Sequence, residues 1–255
     1  MGSIYKANYN SKVLVEMWKD FIDWDKRRKG EGGFLLKSLR KYNCQKIFDA
    51  CLGDGADSIH LLKKGLDVTS NDLDELFIKK ARSNAKENGV KLKITNYDWR
   101  NVGKHLEKSS FDAVICLGNS LTYLFTKADQ LKALKNFLAI IKKDGILIID
   151  ERNYQYFLDK KEEILHQGKF KYSGRYVYTG DKVHGKPIEI TDNKVKMEYT
   201  DERTGKKGYL TLYPFKRQEL FNLLKKTGFS RITQFSDYKK GFKKSADYYQ
   251  YICVK

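Results

Sequence analysis

From about residue 32 onward the apolar positions alternate between two periods. Segments 34–42, 57–65, 73–89 and 128–145 repeat them every three to four residues, the spacing of one helix face. Gly65, Gly89 and Gly145 stand where these helices should end. Between them, 46–51, 67–71, 91–98, 111–118 and 146–151 are short runs that read as strands, several apolar throughout. Strand and helix in turn predict a parallel sheet covered on both faces, with ligands beyond the carboxyl ends of the strands.

After Arg152 the pattern changes. Residues 156–213 are rich in Tyr, Lys, Gly and Thr, and 194–202 and 207–213 alternate polar with apolar positions, as antiparallel strands do. A helix (217–228) and two strands (231–237 and 248–255) then resume the first pattern, with an antiparallel pair at the end of the sheet. The expected division is 1–152 (core with an N-terminal helical segment), 153–213 (insertion) and 214–255 (the rest of the core).

Composition adds little to this outline. The 255 residues suffice for one large domain with an insertion. No apolar run is long enough to cross a bilayer, and the polar start has no signal-peptide pattern. Cys44, Cys51, Cys116 and Cys253 lie far apart, three of them in or beside apolar runs, so buried reduced thiols and a cytoplasmic setting are expected, with no metal. The net charge of +18 comes from 50 Lys and Arg against 32 Asp and Glu. It fits nucleic-acid binding or a lysine-rich solvated surface; the lysines are scattered, which favours the surface.

The chemistry begins at the loop after the first strand, "DACLGDGADS". A dinucleotide fingerprint requires a third glycine where Ser58 stands, and no phosphate-loop Gly-Lys-Ser/Thr occurs. The loop carries Asp49, Asp54 and Asp57 instead, beside Cys51, Gly53 and Gly55. Such acids would repel a pyrophosphate but suit S-adenosylmethionine, which carries a sulfonium and an ammonium. Asp72, after the second strand, is placed to accept ribose hydroxyls; Asp98, after the third, is placed to accept the adenine amino group, with Trp99 packed on the ring. Each acid alone is more often just a loop acid or helix cap; the series at successive strand ends points to the cofactor.

The acceptor is narrowed by absences. The segment "CLGNSLTYL" lacks the proline pair of exocyclic-amine base methylation, and neither Pro187 nor Pro214 precedes a cysteine, as cytosine-C5 methylation requires. "FDAVICLGNS", "LIIDERNY" and "LTLYP", with "DWDKR" near the N-terminus, resemble the glycine N-methyltransferase and glycine/sarcosine N-methyltransferase family over nearly the whole chain. The resemblance implies an α/β, Rossmann-like class I methyltransferase fold: a mostly parallel seven-stranded sheet with helices on both faces and an inserted antiparallel substrate lid. It implies S-adenosylmethionine as methyl donor, S-adenosylhomocysteine as product, and a small amino acid as acceptor, with relatives ranging from monomers to tetramers. By the same resemblance Arg152 grips the substrate carboxylate, Asn119 contacts the amino acid, and Tyr178, Tyr199 and Tyr213 orient the amine. Tyr9, Trp18 and Arg27 surround the methionine part of the cofactor; Asp49, Cys51 and Leu117 complete the expected cofactor site.

A planar guanidinium suits a small zwitterion, because two parallel hydrogen bonds fix the carboxylate in direction as well as position. Asp150 and Glu151 are expected either to steer Arg152 or to hold it in a merely structural ion pair. The four histidines, His60, His105, His166 and His184, are given no catalytic role. Two other functions stay open at this stage: methylation of dimethylglycine or another small carboxylate, and RNA binding or methylation.

Overall fold

A computed structural model describes residues 11–167 and 181–255. Two expected site residues, Tyr9 and Tyr178, lie outside the described residues. Two N-terminal helices, α1 (Ser11–Phe21) and α2 (Trp24–Gly30), precede the alternating core. The core runs α3 (Phe34–Lys41), β1 (Lys46–Asp49), α4 (Ala56–Lys63), β2 (Asp67–Asn71), α5 (Glu75–Glu87), β3 (Lys93–Thr95), β4 (Phe111–Cys116), α6 (Lys127–Ile140) and β5 (Ile141–Arg152). Then come α7 (Tyr154–Asp159), α8 (Lys161–His166), β6 (Val183–Ile190), β7 (Val195–Asp201) and β8 (Lys207–Leu212). The chain closes with α9 (Glu219–Thr227), β9 (Arg231–Ser236), β10 (Lys239–Lys240) and β11 (Tyr248–Val254).

The large sheet has the order β10-β9-β11-β5-β4-β1-β2-β3. Strands β1 to β5 pair in parallel, whereas β11 is antiparallel to both β5 and β9. The chain moves outward from β1 to β3, then restarts on the other side with β4. That reversal opens a crevice above the carboxyl ends of β1 and β4, where such sheets bind ligands.

Burial follows the pleat. Phe48, Val114, Leu147 and Ile149 face α6 and α9 through Phe137 and Leu224; Ile47, Ile115, Ile146 and Ile148 face α3 and α4 through Leu39 and Leu61. Both faces are apolar because both are covered, which is why the strand segments show little alternation.

Three boundaries differ from the sequence reading. Helix α6 stops at Ile140, short of Gly145, because Ser109 and Ser110 donate their backbone N–H groups to the Ala139 and Ile140 carbonyls and Ile141 pairs with Phe111. The sheet has eight strands, the extra one being the two-residue β10. The insertion opens with two short helices; Tyr154 and Phe157 of α7 join Ile164 of α8 in a core with the smaller sheet.

That smaller sheet, β6-β7-β8, is antiparallel and separate from the first. Helix α1 packs on it with Leu14, Met17 and Phe21. Trp18 of the same helix meets Phe77 of α5 edge-on at 5.7 Å, so α1 joins the insertion to the core.

Candidate active site

The glycine loop between β1 and α4 takes its shape from a few polar links. Gly53 lies at φ 53° and Gly55 at φ 95°, both in the left-handed region that glycine enters without strain. At Gly55 an added Cβ would stand 2.9 Å from Ile59 Cδ1 and 3.3 Å from Ala81 Cβ, so this glycine also lets α5 approach the loop. The Gly53 N–H donates to Asp72 Oδ2 at 2.8 Å, tying the loop to the end of β2. Trp99 donates its indole N–H to the Ala50 carbonyl at 2.6 Å, which fixes its ring across the same crevice.

The crevice holds about 1590 Å³ of empty space, its open mouth included. Three carboxylates stand in or beside it, Asp54 and Asp150 buried and Asp72 half-buried. Asp54 accepts from Trp24 Nε1 at 3.0 Å, Asp72 from Gly53 and Asp74 N–H groups, and Asp150 from the Gly118 and Asn119 N–H groups at 3.1 and 2.6 Å. Burial pushes each of them up to about 6 despite these hydrogen bonds. Asp57, at the start of α4, is different: burial alone would raise it, but Arg27 and Arg28 hold it at about 2. The loop end of the crevice therefore favours a cation.

The other end is built by the last turn of β5. Asn119, at φ 65°, accepts the Arg152 N–H on Oδ1 at 3.0 Å and donates from Nδ2 to the Tyr154 hydroxyl at 2.6 Å. The Arg152 guanidinium donates from Nη2 to the Tyr248 hydroxyl at 2.6 Å and lies over the Tyr248 and Phe157 rings, 5.1 and 5.5 Å from their centroids. Asp150 and Glu151 bond elsewhere: Asp150 to the turn after β4, Glu151 to the Tyr251 hydroxyl at 2.5 Å. From the insertion, Tyr199 closes the wall against Phe21, their ring centroids 4.7 Å apart.

The family model described as "Methyltransferase domain" matches residues 47–145. The glycine/sarcosine N-methyltransferase of Aphanothece halophytica is 35% identical to this chain over 95% of its length and 88% of the relative's. This chain belongs to the glycine/sarcosine N-methyltransferase family. A glycine/sarcosine/dimethylglycine N-methyltransferase of Actinopolyspora halophila is also 35% identical over 95% of this chain, which spans 41% of that longer protein. An S-adenosylmethionine-dependent methyltransferase from Clostridium acetobutylicum shares the fold, with a TM-score of 0.71, 18% identity and 96% of each chain covered. The architecture is thus the Rossmann-like class I methyltransferase fold with an added antiparallel sheet.

In this family member the crevice brings together Arg152, Asn119 and Tyr199 with Trp18, Arg27, Cys51, Gly53, Asp72, Trp99 and Leu117, ten residues singled out from sequence. Four others do not line it. Asp49 is buried beneath the loop, where it accepts from Ser58 Oγ at 2.6 Å and the Cys51 N–H at 3.2 Å; burial raises it to about 7. Gly55 serves the packing of α4 on α5. Asp98 turns its carboxylate to Arg100, whose Nε lies 3.0 Å from both oxygens, because the neighbour two residues on supplies a nearer cation. Tyr213 points into the core against Phe215 and donates to Glu219 Oε1 at 2.9 Å, bracing the start of α9.

Sequence reasoning missed two residues that matter to the geometry. Asn71 donates to the Tyr97 carbonyl at 3.0 Å and accepts the Tyr97 N–H at 2.8 Å, which aligns the loops after β1 to β3. An amide ending an otherwise buried strand is a signal that could have revealed it. Tyr248 carries no local signal, since β11 contains three tyrosines and sequence does not say which faces the crevice.

Proposed function

We propose that this protein transfers methyl from S-adenosylmethionine to the amine of glycine and of sarcosine, giving sarcosine and dimethylglycine. The observation that carries the reading is the placement of the Arg152 guanidinium in the same crevice as the glycine loop, Asp72 and Trp99. One end suits a cationic nucleoside, the other a small carboxylate.

The residues present fit the cofactor. Asp54, Asp72 and Asp150 are acids with raised pKa values that a positive ligand would favour in their ionised form. Asp72 is assigned to the ribose hydroxyls and Trp99 to the face of the adenine. Cys51, Gly53 and Leu117 line the space between, and Trp18 and Arg27 close the methionine end. S-adenosylmethionine, when bound, supplies an electrophilic methyl on a sulfonium leaving group.

Arg152 binds the acceptor carboxylate through its planar fork, which orients the small zwitterion. Asn119 sets where the Arg152 backbone enters the crevice. Tyr199 excludes water from one side, and desolvation strengthens the remaining polar contacts. No histidine is among the described lining residues, so catalysis rests on alignment of a neutral amine rather than on a strong base. The amine loses its proton before attack, and the rate should rise with pH above neutrality.

No helix of the described residues is long and apolar enough to cross a membrane. We place the protein in the cytoplasm, acting on a dissolved amino acid. The test is methyl transfer to glycine, sarcosine and dimethylglycine, followed by mass detection, with Arg152→Lys beside the unaltered enzyme. Transfer to the first two, with a much higher KM in Arg152→Lys and unchanged cofactor affinity, is expected. Transfer to none of the three, or equal damage to acceptor and cofactor binding, sinks the assignment.

A further inference from the structure

The C-terminal strand β11 contributes one side chain to the crevice among the described residues, Tyr248. Its two tyrosine neighbours turn away: Tyr249 donates to the Lys243 carbonyl at 3.1 Å and Tyr251 to Glu151. Tyr248 is the direct cross-strand partner of Arg152, the outermost pair of the β5–β11 ladder. Paired residues of an antiparallel ladder share a face, so register alone brings the two side chains together.

Its backbone is held by a turn built for the purpose. The Tyr248 N–H donates to Asp237 Oδ1 at 3.0 Å, and its carbonyl accepts the Asp237 N–H at 2.9 Å. Asp237 and Tyr238 lie at φ 49° and 63°, a conformation most side chains resist. Tyr248 is 7% exposed. It touches the guanidinium in two ways, by the 2.6 Å bond from Nη2 and by its ring face 5.1 Å from Cζ. A hydrogen bond restrains the guanidinium within its plane, and a ring face restrains its tilt. With Phe157 against it as well, the arginine's long side chain is ordered before any acceptor arrives.

We infer that Tyr248 is a positioning residue for acceptor binding: it preorganises the Arg152 fork through both its hydroxyl and its ring. This rests on the reading that Arg152 binds the acceptor carboxylate. Preorganisation removes from the binding step the entropy of fixing a flexible cation. The hydroxyl and the ring contribute separately, and two substitutions separate them. Tyr248→Phe keeps the ring and removes the bond; Tyr248→Leu removes both.

The experiment measures KM for glycine, kcat, S-adenosylmethionine affinity by calorimetry and the melting temperature in Tyr248→Phe, Tyr248→Leu and Arg152→Lys. Tyr248→Phe should raise the glycine KM about tenfold, the loss expected for a hydrogen bond to a charged group. Cofactor affinity and melting temperature should stay as they are, and Tyr248→Leu should raise KM further. An unchanged KM in Tyr248→Phe, or a KM rise matched by weaker cofactor binding and a lower melting temperature, overturns the inference. If Arg152→Lys raises KM while Tyr248→Phe does not, Tyr248 alone is excluded and the proposed function stands. If Arg152→Lys leaves KM unchanged, the carboxylate reading itself fails.

Discussion

The side-chain carbonyl of Asn119 accepts the backbone N–H of Arg152 at 3.0 Å, joining the turn after β4 to the last residue of β5. The same amide donates to the Tyr154 hydroxyl, so one side chain spans both loops that shape the acceptor end. Asn119→Ala removes these bonds and strains the left-handed backbone. The expected loss is about 2–4 kcal/mol of stability, measured by urea unfolding, with a higher glycine KM. Asn119→Gly relieves the backbone but not the missing amide. It should recover roughly 1 kcal/mol while KM stays high. Recovery of both by glycine would show that the side chain does not set the site.

Tyr199 sits between two strand glycines, Gly185 on β6 and Gly208 on β8. A Cβ at Gly185 would stand 2.8 Å from Tyr199 Cε1, too close to be accepted without moving the ring. Phe21 backs that ring, which leaves displacement toward the crevice as the easier path. Gly185→Ala should destabilise by about 1–3 kcal/mol through overpacking. It should also lower kcat/KM for sarcosine about tenfold more than for glycine, the scale of discrimination a single methyl group allows. Equal losses for the two substrates in parallel assays would remove Tyr199 from the acceptor wall.

The buried acids give a pH dependence with a definite sign. Asp54, Asp72 and Asp150 titrate near 6 in the folded protein, above the unfolded value, because burial disfavours their charge. The folded, ligand-free protein thus holds more protons than the unfolded chain between about pH 4 and 6, and their contribution to stability falls as pH rises through about 6. A cationic cofactor favours the ionised forms. Binding should release protons near pH 6 and tighten as pH rises to 7. Calorimetry at pH 6 in buffers of different ionisation enthalpy measures this; heats that do not depend on the buffer would exclude the linkage.

Asp57 behaves in the opposite sense. Burial opposes its charge, yet Arg27 and Arg28 hold it at about 2, so it stabilises above its unfolded value and that contribution is lost as pH falls toward 2. The pairing ties α2 to the first turn of α4. Asp57→Asn removes the carboxylate that Arg27 and Arg28 share, while Arg28 keeps its ion pair with Glu31, and should cost about 3 kcal/mol near neutral pH. Thermal unfolding at pH 7 and pH 3 should show a smaller difference between variant and parent at the lower pH. An equal difference at both would mean that charge plays no part.

The element order was legible in sequence because helix and strand periods are local properties. Buried parallel strands announce themselves as short apolar runs, and Gly65, Gly89 and Gly228 mark the ends of α4, α5 and α9. The end of α6 was not legible: Gly145 looked like the stop, but carbonyls at Ala139 and Ile140 are capped by residues 109 and 110, and that competition exists only once the sheet has formed. Asp72 could be singled out because it follows β2 directly, where a doubly wound sheet must open, whereas Arg152, at the end of β5, and Asn119, in the turn after β4, were marked by the family resemblance. Asp98 and Tyr213 carried the same local mark and turned elsewhere, one toward a nearby arginine, the other into the core.

What sequence alone determined is therefore the alternating α/β order, the inserted antiparallel segment, and the strand ends at which chemistry could stand. Which side chains meet there was decided by register between distant strands. Tyr248 reaches Arg152 across 96 residues only because β11 pairs antiparallel with β5 in one alignment, and a shift of a single residue would turn it to the opposite face.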